Sequence, residues 1–346
     1  MGSIFKFRND LKTGTGIRRF IKPANADLLS APQNYMMSDD KIPDSLKQKN
    51  LNLSYSPQSY IIKQNEDGEI ILVDICGKIS ELPKTLASFR DGEIPEVRIN
   101  GYALFIDINT RNNVNTVSNS KKKKQLAEIS KIFNHFNKIN ETPLHLSVTH
   151  ELKHLLNRHK VYDICGKIED SGLNARQFAL SRYADEISAT AQEFLNCVQT
   201  YNQTENIKVF PNKFASFVTK ITEQHSPNIL HNPLALANEA AQIWFHAENN
   251  HAYTMRKGDF TAQTNLYAEH ANINQRKHGQ ENFTKIIQAY MTLNFEGRDI
   301  DCSKILNTIT PKLHIYEDAE EVLELKLSTI LSPSHCSRQM RNIKSK

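Results

Sequence analysis

Apolar positions alternate along one early part of the chain and recur at helical spacing through most of the rest. Residues 59–64 (SYIIKQ) and 69–75 (EIILVDI) flank the turn residues NEDG, which predicts a β-hairpin. Residues 96–99 (EVRI) and 102–108 (YALFIDI) flank Asn100-Gly101, a strong short turn signal, which predicts a second hairpin. The two hairpins together would form a small antiparallel sheet.

Helical spacing dominates after this predicted sheet. Residues 109–120 are polar and are predicted to form a surface loop, whereas 121–140 carry a helical apolar stripe made of Leu126, Ile129, Phe133, Phe136 and Ile139. A helix over about 173–200 follows from the stripe made of Ile187, Ala191, Phe194 and Val198. From Pro211 onward the segments 211–221, 232–255, 281–293 and 317–331 are all predicted to be helical.

These patterns predict an α+β fold in three parts. Residues 1–58, with prolines among polar residues, form an extended or partly ordered lead-in. Residues 59–205 contain the sheet and three helices: one over 121–140, one that follows Pro143 and carries HELKH, and one over about 173–200. Residues 206–346 form a helical C-terminal region that ends in the basic tail SRQMRNIKSK.

Composition narrows the class of protein. With 39% apolar residues and a mean hydropathy of −0.52, the chain can bury a core but has no apolar run long enough for a membrane span. The five cysteines are scattered without CxxC spacing, so we expect reduced thiols in a cytosol. The N-terminus lacks the apolar segment of a Sec signal peptide. We therefore expect a cytoplasmic protein.

Charge favours no particular partner. The formal net charge is +5, and local positive charge collects in the run Lys121–Lys124 and in the C-terminal tail. Without interleaved aromatic residues or a nucleic-acid-binding motif, such runs are usually solvated helix faces.

The segment VTHELKHLL contains the spacing HExxH. His150 and His154 are four residues apart, about 40° round a helix and one turn along it, so both rings can reach one ion. Glu151 is the type of residue that acts as general base beside such a metal. Leu144, Val148, Leu152 and Leu155 form an apolar stripe roughly opposite the histidines. The pattern predicts a metal site.

A catalytic zinc ion usually has three protein ligands. His159 lies about 140° round the helix from His154 and cannot converge with it. Glu186, in SRYADEISATAQEF, is the first choice for the third ligand because small neighbours would let its helix approach closely. Glu193, two turns later, is the second choice, and Asp185 is the third.

Over residues 60–200 the sequence resembles gluzincin-type HExxH zinc metallopeptidases, and in particular uncharacterised bacterial metallopeptidases, some of them secreted effectors. The resemblance rests on a small sheet, VTHELKHLL and ADEISATAQ. It implies a zincin-like fold, Zn²⁺ held by His150, His154 and Glu186, Glu151 as general base, and a sheet edge that receives substrate. Two positions depart from the family pattern. Lys153 stands where an uncharged residue is usual, and we expect its side chain to point to solvent. The segment that carries Glu186 lacks the NExxxD pattern of thermolysin-like enzymes.

The expected function is zinc-dependent hydrolysis of peptide bonds in a protein or peptide substrate. One alternative is a catalytically inactive zincin-like module that binds a protein. Another is a nucleic-acid-binding protein that uses Lys121–Lys124. Export as an effector without a Sec signal is an alternative to a purely cytoplasmic location; it rests on the lead-in, the basic tail and the resemblance.

Overall fold

The computed structural model describes residues 41–42, 44–47, 52–83, 86–90, 96–141, 143–239 and 253–304. The chain divides into two compact units, residues 1–151 and 152–346. Helices and strands are both present, so the predicted α+β class is confirmed. Four predicted parts lie wholly or partly outside the described residues: most of the lead-in, residues 240–252 of the predicted helix over 232–255, the predicted helix over 317–331 and the basic tail.

The first unit contains one sheet and the helices that follow it. A short 3-10 helix, Asp44–Leu46, precedes the strands. The strands are β1 (Asn52–Gln64), β2 (Ile70–Asp74), β3 (Ala87–Arg90) and β4 (Glu96–Ile106). The helices are α1 (Ile108–Thr116), α2 (Asn119–Glu141) and the start of α3 (Leu144–Cys165), within which the boundary between the units falls.

The sheet is mixed, with strand order β2-β1-β4-β3. The first predicted hairpin is confirmed, because β1 and β2 pair antiparallel from Tyr60 opposite Asp74 to Gln64 opposite Ile70. The predicted all-antiparallel sheet is wrong: β1 and β4 pair in parallel over eleven positions, from Asn52 opposite Glu96 to Ile62 opposite Ile106.

The second predicted hairpin is also wrong, because β4 runs straight through Asn100 and Gly101. A Cβ atom at Gly101 would collide with the ring of Tyr55 on the neighbouring strand β1. The glycine therefore admits a side chain from the parallel partner and does not form a turn. The NG signal is overridden by this pairing, which joins distant parts of the chain.

Residues 108–116 form α1, where a surface loop was predicted over 109–120. The carboxylate of Asp107 caps this helix by accepting hydrogen bonds from the backbone N–H groups of Asn109 (3.1 Å) and Thr110 (3.2 Å). Val114 and Thr110 are both buried. A good cap and two buried positions thus stabilise a helix whose residues have low helix propensity.

The predicted helix over 121–140 is confirmed as α2. Its residues Ile129, Phe133 and Phe136 are buried in a core that includes Tyr60, Ile62, Leu72, Tyr102 and Leu104 from the sheet. Leu126 and Ile139 are partly buried against the same core. One face of α2 therefore packs on the sheet of the first unit, as its apolar stripe predicts.

The second unit is mainly helical. After α3 come α4 (Ala175–Thr204), α5 (Asn212–His225), α6 (Tyr253–His270), α7 (Gly279–Tyr290), and the strands β5 (Thr292–Phe295) and β6 (Arg298–Asp301). Residues 233–239 are also helical, and short 3-10 helices occupy Ile168–Asp170, Ile207–Val209, Pro227–His231 and Ile273–His278. The predicted helix over about 173–200 is confirmed as α4, which begins with a capping box between Asn174 and Gln177.

One predicted helix of this unit ends early. In the segment 281–293 the helix stops at Tyr290, and Thr292–Phe295 form a hairpin with Arg298–Asp301. Leu293 and Phe295 are buried while Thr292 and Asn294 are less so, which is the period of a strand. Glu296 and Gly297 form the two-residue turn, both with positive φ.

Among the described residues, no helix combines the length and the apolar character needed to cross a lipid bilayer.

Candidate metal centre

Three predicted ligands lie together. His150, His154 and Glu186 each offer one donor atom, and these atoms all lie within 4.8 Å of one another. Helix α3 places the two histidines one turn apart on one face, and α4 supplies the glutamate. The side chains of His150 and Glu186 are only partly buried, so solvent can reach the cluster.

The cluster fits a zinc ion by donor type and by spacing. Two imidazoles and one carboxylate are a common donor set for zinc. In a tetrahedral zinc site, nitrogen and oxygen ligands lie about 3.4 Å from one another. The Nε2 nitrogen of His154 lies 3.7 Å from Oε2 of Glu186, which is close to that separation.

The second nitrogen of His154 contacts a buried carboxylate. Its Nδ1 atom lies 3.0 Å from Oδ2 of Asp185. When Nδ1 carries the proton and donates it to Asp185, the lone pair of Nε2 is directed toward Glu186. Carboxylates in this position orient metal-binding histidines and raise their basicity.

Asp185 is itself held by several groups. Asn157 on α3 donates a hydrogen bond to its Oδ1 (2.7 Å), and Arg182 donates to its Oδ2 (3.2 Å). Burial alone would raise the pKa of Asp185, but His154, Arg182 and the hydrogen bonds together hold that pKa below its ordinary value. The carboxylate is therefore charged at neutral pH and can support the imidazole of His154.

The structure separates the three acidic candidates for the third ligand. Glu186 belongs to the cluster. Asp185 contacts the Nδ1 nitrogen of His154 and is not one of the three clustered residues. Glu193 is fully buried on α4 and is not one of the clustered residues, and His159, excluded by its angle, is exposed on α3.

The expectation that Lys153 points to solvent is wrong. Its side chain is 1% exposed, and its Nζ atom donates a hydrogen bond to the carbonyl oxygen of Thr292 (2.9 Å). Burial, assisted by the charge of Lys160, lowers the pKa of Lys153 to about 7. The face of α3 that carries Lys153 is therefore buried. Thr292, a residue far along the chain, supplies the hydrogen-bond acceptor that the buried amine needs.

Asn157 and Arg182 are the supporting residues that sequence reasoning missed. Asn157 follows His154 by three residues and bonds both Asp185 and Ser188 on α4, so it joins the two helices (2.7 and 2.8 Å). Arg182 precedes Asp185 by three residues on the same helix face. In the sequence, only their spacing from the predicted ligands points to Asn157 and Arg182 as supporting residues. Polar residues at such spacing are common on any helix.

Glu151 is the predicted general base. Glu151 follows His150 directly and is partly buried, which leaves its carboxylate within reach of solvent. The three clustered residues with Glu151 therefore remain the centre of the candidate site.

Comparison with protein-family models, curated proteins and solved structures finds no match to this chain.

Proposed function

We propose that this protein is a zinc-dependent metallopeptidase in which His150, His154 and Glu186 hold the metal. The observation that carries the proposal is the convergence of the three donor atoms within 4.8 Å. The contact between His154 and Asp185 supports it, since carboxylates of this kind commonly accompany histidines that bind zinc. The substrate we propose is the peptide bond of a protein or peptide.

A zinc ion bound there would supply Lewis acidity, activating a water molecule and polarising the scissile carbonyl near neutral pH. Glu151 acts as general base, taking a proton from the attacking water and passing it to the leaving amine. His154 keeps its orientation through Asp185, which Asn157 and Arg182 hold in place. The partial exposure of Glu186 leaves the centre open to substrate.

Metal analysis of the purified protein tests the proposal. We expect about one zinc per chain in the parent, and loss of that zinc in His150→Ala and in Glu186→Gln. Glu193→Gln is the matched control, because it makes the same chemical change two turns along the same helix outside the cluster. It should keep the metal.

The proposal fails if the parent takes up no zinc even after reconstitution with excess Zn²⁺. In that case HELKH is a helix segment without a metal, and a protein-binding module becomes the better description. Zinc that is lost from Glu193→Gln but kept by Glu186→Gln would instead move the third ligand to Glu193.

A further inference from the structure

The two helices that carry His154 and Glu186 are both bonded to the same short strand. From α3, the Nζ atom of Lys153 donates to the carbonyl oxygen of Thr292 in β5 (2.9 Å). From α4, the side-chain amide of Gln192 donates to the carbonyl oxygen of Asn294 (2.7 Å) and accepts from its N–H group (2.9 Å).

These contacts join buried polar groups to backbone groups of the strand. Gln192 pairs with Asn294 through a donor and an acceptor at once, as a neighbouring strand would. Gln192 and Lys153 are both 1% exposed. If β5 moved away from them, their buried polar groups would lose these hydrogen bonds, which costs free energy. Lys160 adds a contact from α3 to the carbonyl oxygen of Ala289, just before the hairpin (3.3 Å).

We propose that the β5–β6 hairpin positions the metal centre by holding α3 and α4 at the spacing at which His154 and Glu186 share one ion. The inference rests on the proposed function. Lys153 immediately precedes His154, and Gln192 follows Glu186 by six residues on α4, so the hairpin is bonded to both helices that carry these ligands. The hairpin contributes no ligand of its own to the cluster.

The expected effect on metal affinity is partial. Asn157 also joins α3 to α4 through Asp185 and Ser188, so the helices stay connected when the hairpin is weakened. Zinc sites are sensitive to small ligand displacements, and loss of supporting contacts commonly weakens metal affinity by about tenfold or more.

Gly297 provides a way to weaken the hairpin without touching either helix. It has φ of 76° in the turn, and a Cβ atom there would meet no atom within 4 Å. Valine resists this conformation strongly, whereas asparagine tolerates it. Gly297→Val and Gly297→Asn therefore add side chains to the same open space but differ in the strain they impose on the turn.

Affinity for Zn²⁺ is measured on the full chain by chelator competition, and the visible absorption of the Co²⁺-substituted protein reports ligand geometry. We expect Gly297→Val to bind Zn²⁺ about tenfold more weakly than the parent and to show an altered Co²⁺ spectrum. Gly297→Asn should match the parent in both. Gln192→Met, which removes the contacts to Asn294 but leaves the turn intact, should behave like Gly297→Val.

Tyr267→Phe controls for a general loss of stability. It removes a hydrogen bond to the carbonyl oxygen of Leu173 (2.7 Å) in the same unit, away from the residues that bond the hairpin. Its Zn²⁺ affinity should equal that of the parent even where its melting temperature falls.

The outcomes separate the two proposals. A parent that binds no zinc overturns the proposed function. A parent that binds zinc, with unchanged affinity and Co²⁺ spectrum in both Gly297→Val and Gln192→Met, overturns the role of the hairpin and leaves the proposed function standing. An equal loss of affinity in Tyr267→Phe would also overturn it, because the effect would then follow stability alone.

Discussion

The Nδ1 nitrogen of His154 lies 3.0 Å from Oδ2 of Asp185, while its Nε2 nitrogen lies 3.7 Å from Oε2 of Glu186. One imidazole thus joins the donor cluster to a buried acceptor. We predict that Asp185→Asn weakens zinc affinity by about 10 to 100-fold, because the amide is a poorer acceptor for Nδ1–H. The measurement is chelator competition.

The control for this substitution is Asp163→Asn, which changes an exposed carboxylate on α3, the helix that carries His154. It should leave zinc affinity unchanged. Equal affinities for Asp185→Asn and the parent would show that Asp185 does not support the metal ligand.

Glu151→Gln is predicted to keep the zinc and to lose hydrolysis. Glutamine has nearly the same shape but cannot accept a proton from water, and general-base catalysis typically contributes about 10² to 10⁴-fold in rate. The test measures the metal content of the variant and its rate of hydrolysis of a peptide that the parent cleaves, found by screening a peptide library. A variant with undiminished turnover would exclude Glu151 as the base.

Gly101→Ala is predicted to destabilise the first unit by about 1–3 kcal/mol, because the added methyl group must displace the ring of Tyr55. The midpoint of denaturant unfolding measures the loss. In a Tyr55→Ser background the same change should cost clearly less, since the obstructing ring is absent. Equal costs in both backgrounds would contradict the parallel pairing of β1 with β4 in this register.

Asp107→Ala is predicted to lower the free energy of unfolding by about 1 kcal/mol through loss of the N-cap of α1. Asp107→Ser, which can still cap, should recover most of the loss. Unfolding curves that do not distinguish alanine from serine would indicate that residues 108–116 do not depend on this cap.

The buried thiol of Cys302 is predicted to resist alkylation in the folded protein at pH 8–9, whereas the exposed Cys76 reacts. Burial raises the pKa of Cys302 to about 12, so almost none of it is thiolate in this range. Peptide mapping after brief treatment with iodoacetamide measures both sites. Comparable labelling of the two cysteines in the native protein would contradict the burial of Cys302.

The same pKa shift has a consequence for stability. An unfolded thiol loses its proton near its ordinary value of 9.0, and the folded Cys302 keeps its proton to about pH 12. Between these values the folded state binds more protons, so the free energy of unfolding falls as the pH rises. Cys302→Ala should reduce that slope.

Local periodicity was enough to predict the elements that carry the candidate ligands. The stripe of α4, represented by Ile187 and Val198, and the HExxH spacing of α3 are properties of neighbouring residues on one helix. Glu186 could be ranked above Glu193 because small residues surround it, and it is Glu186 that lies in the cluster.

The errors arose where a distant residue decides the outcome. Asn100-Gly101 is a turn signal in isolation, and only the ring of Tyr55 on a parallel strand explains why Gly101 lies within a strand. Lys153 is a surface residue by type, yet its partner Thr292 lies 139 positions later in the chain. Neither contact leaves a periodic pattern that a single sequence could reveal.

The occupied edge of β5 also bears on association between molecules. A short two-stranded sheet normally presents unpaired backbone groups to which a strand of another molecule can add. Here the carbonyl oxygen of Thr292 already accepts a hydrogen bond from Lys153, and both the carbonyl and the N–H group of Asn294 bond with Gln192. Side chains therefore end the sheet at β5, and this edge is protected from the strand addition that leads to aggregation.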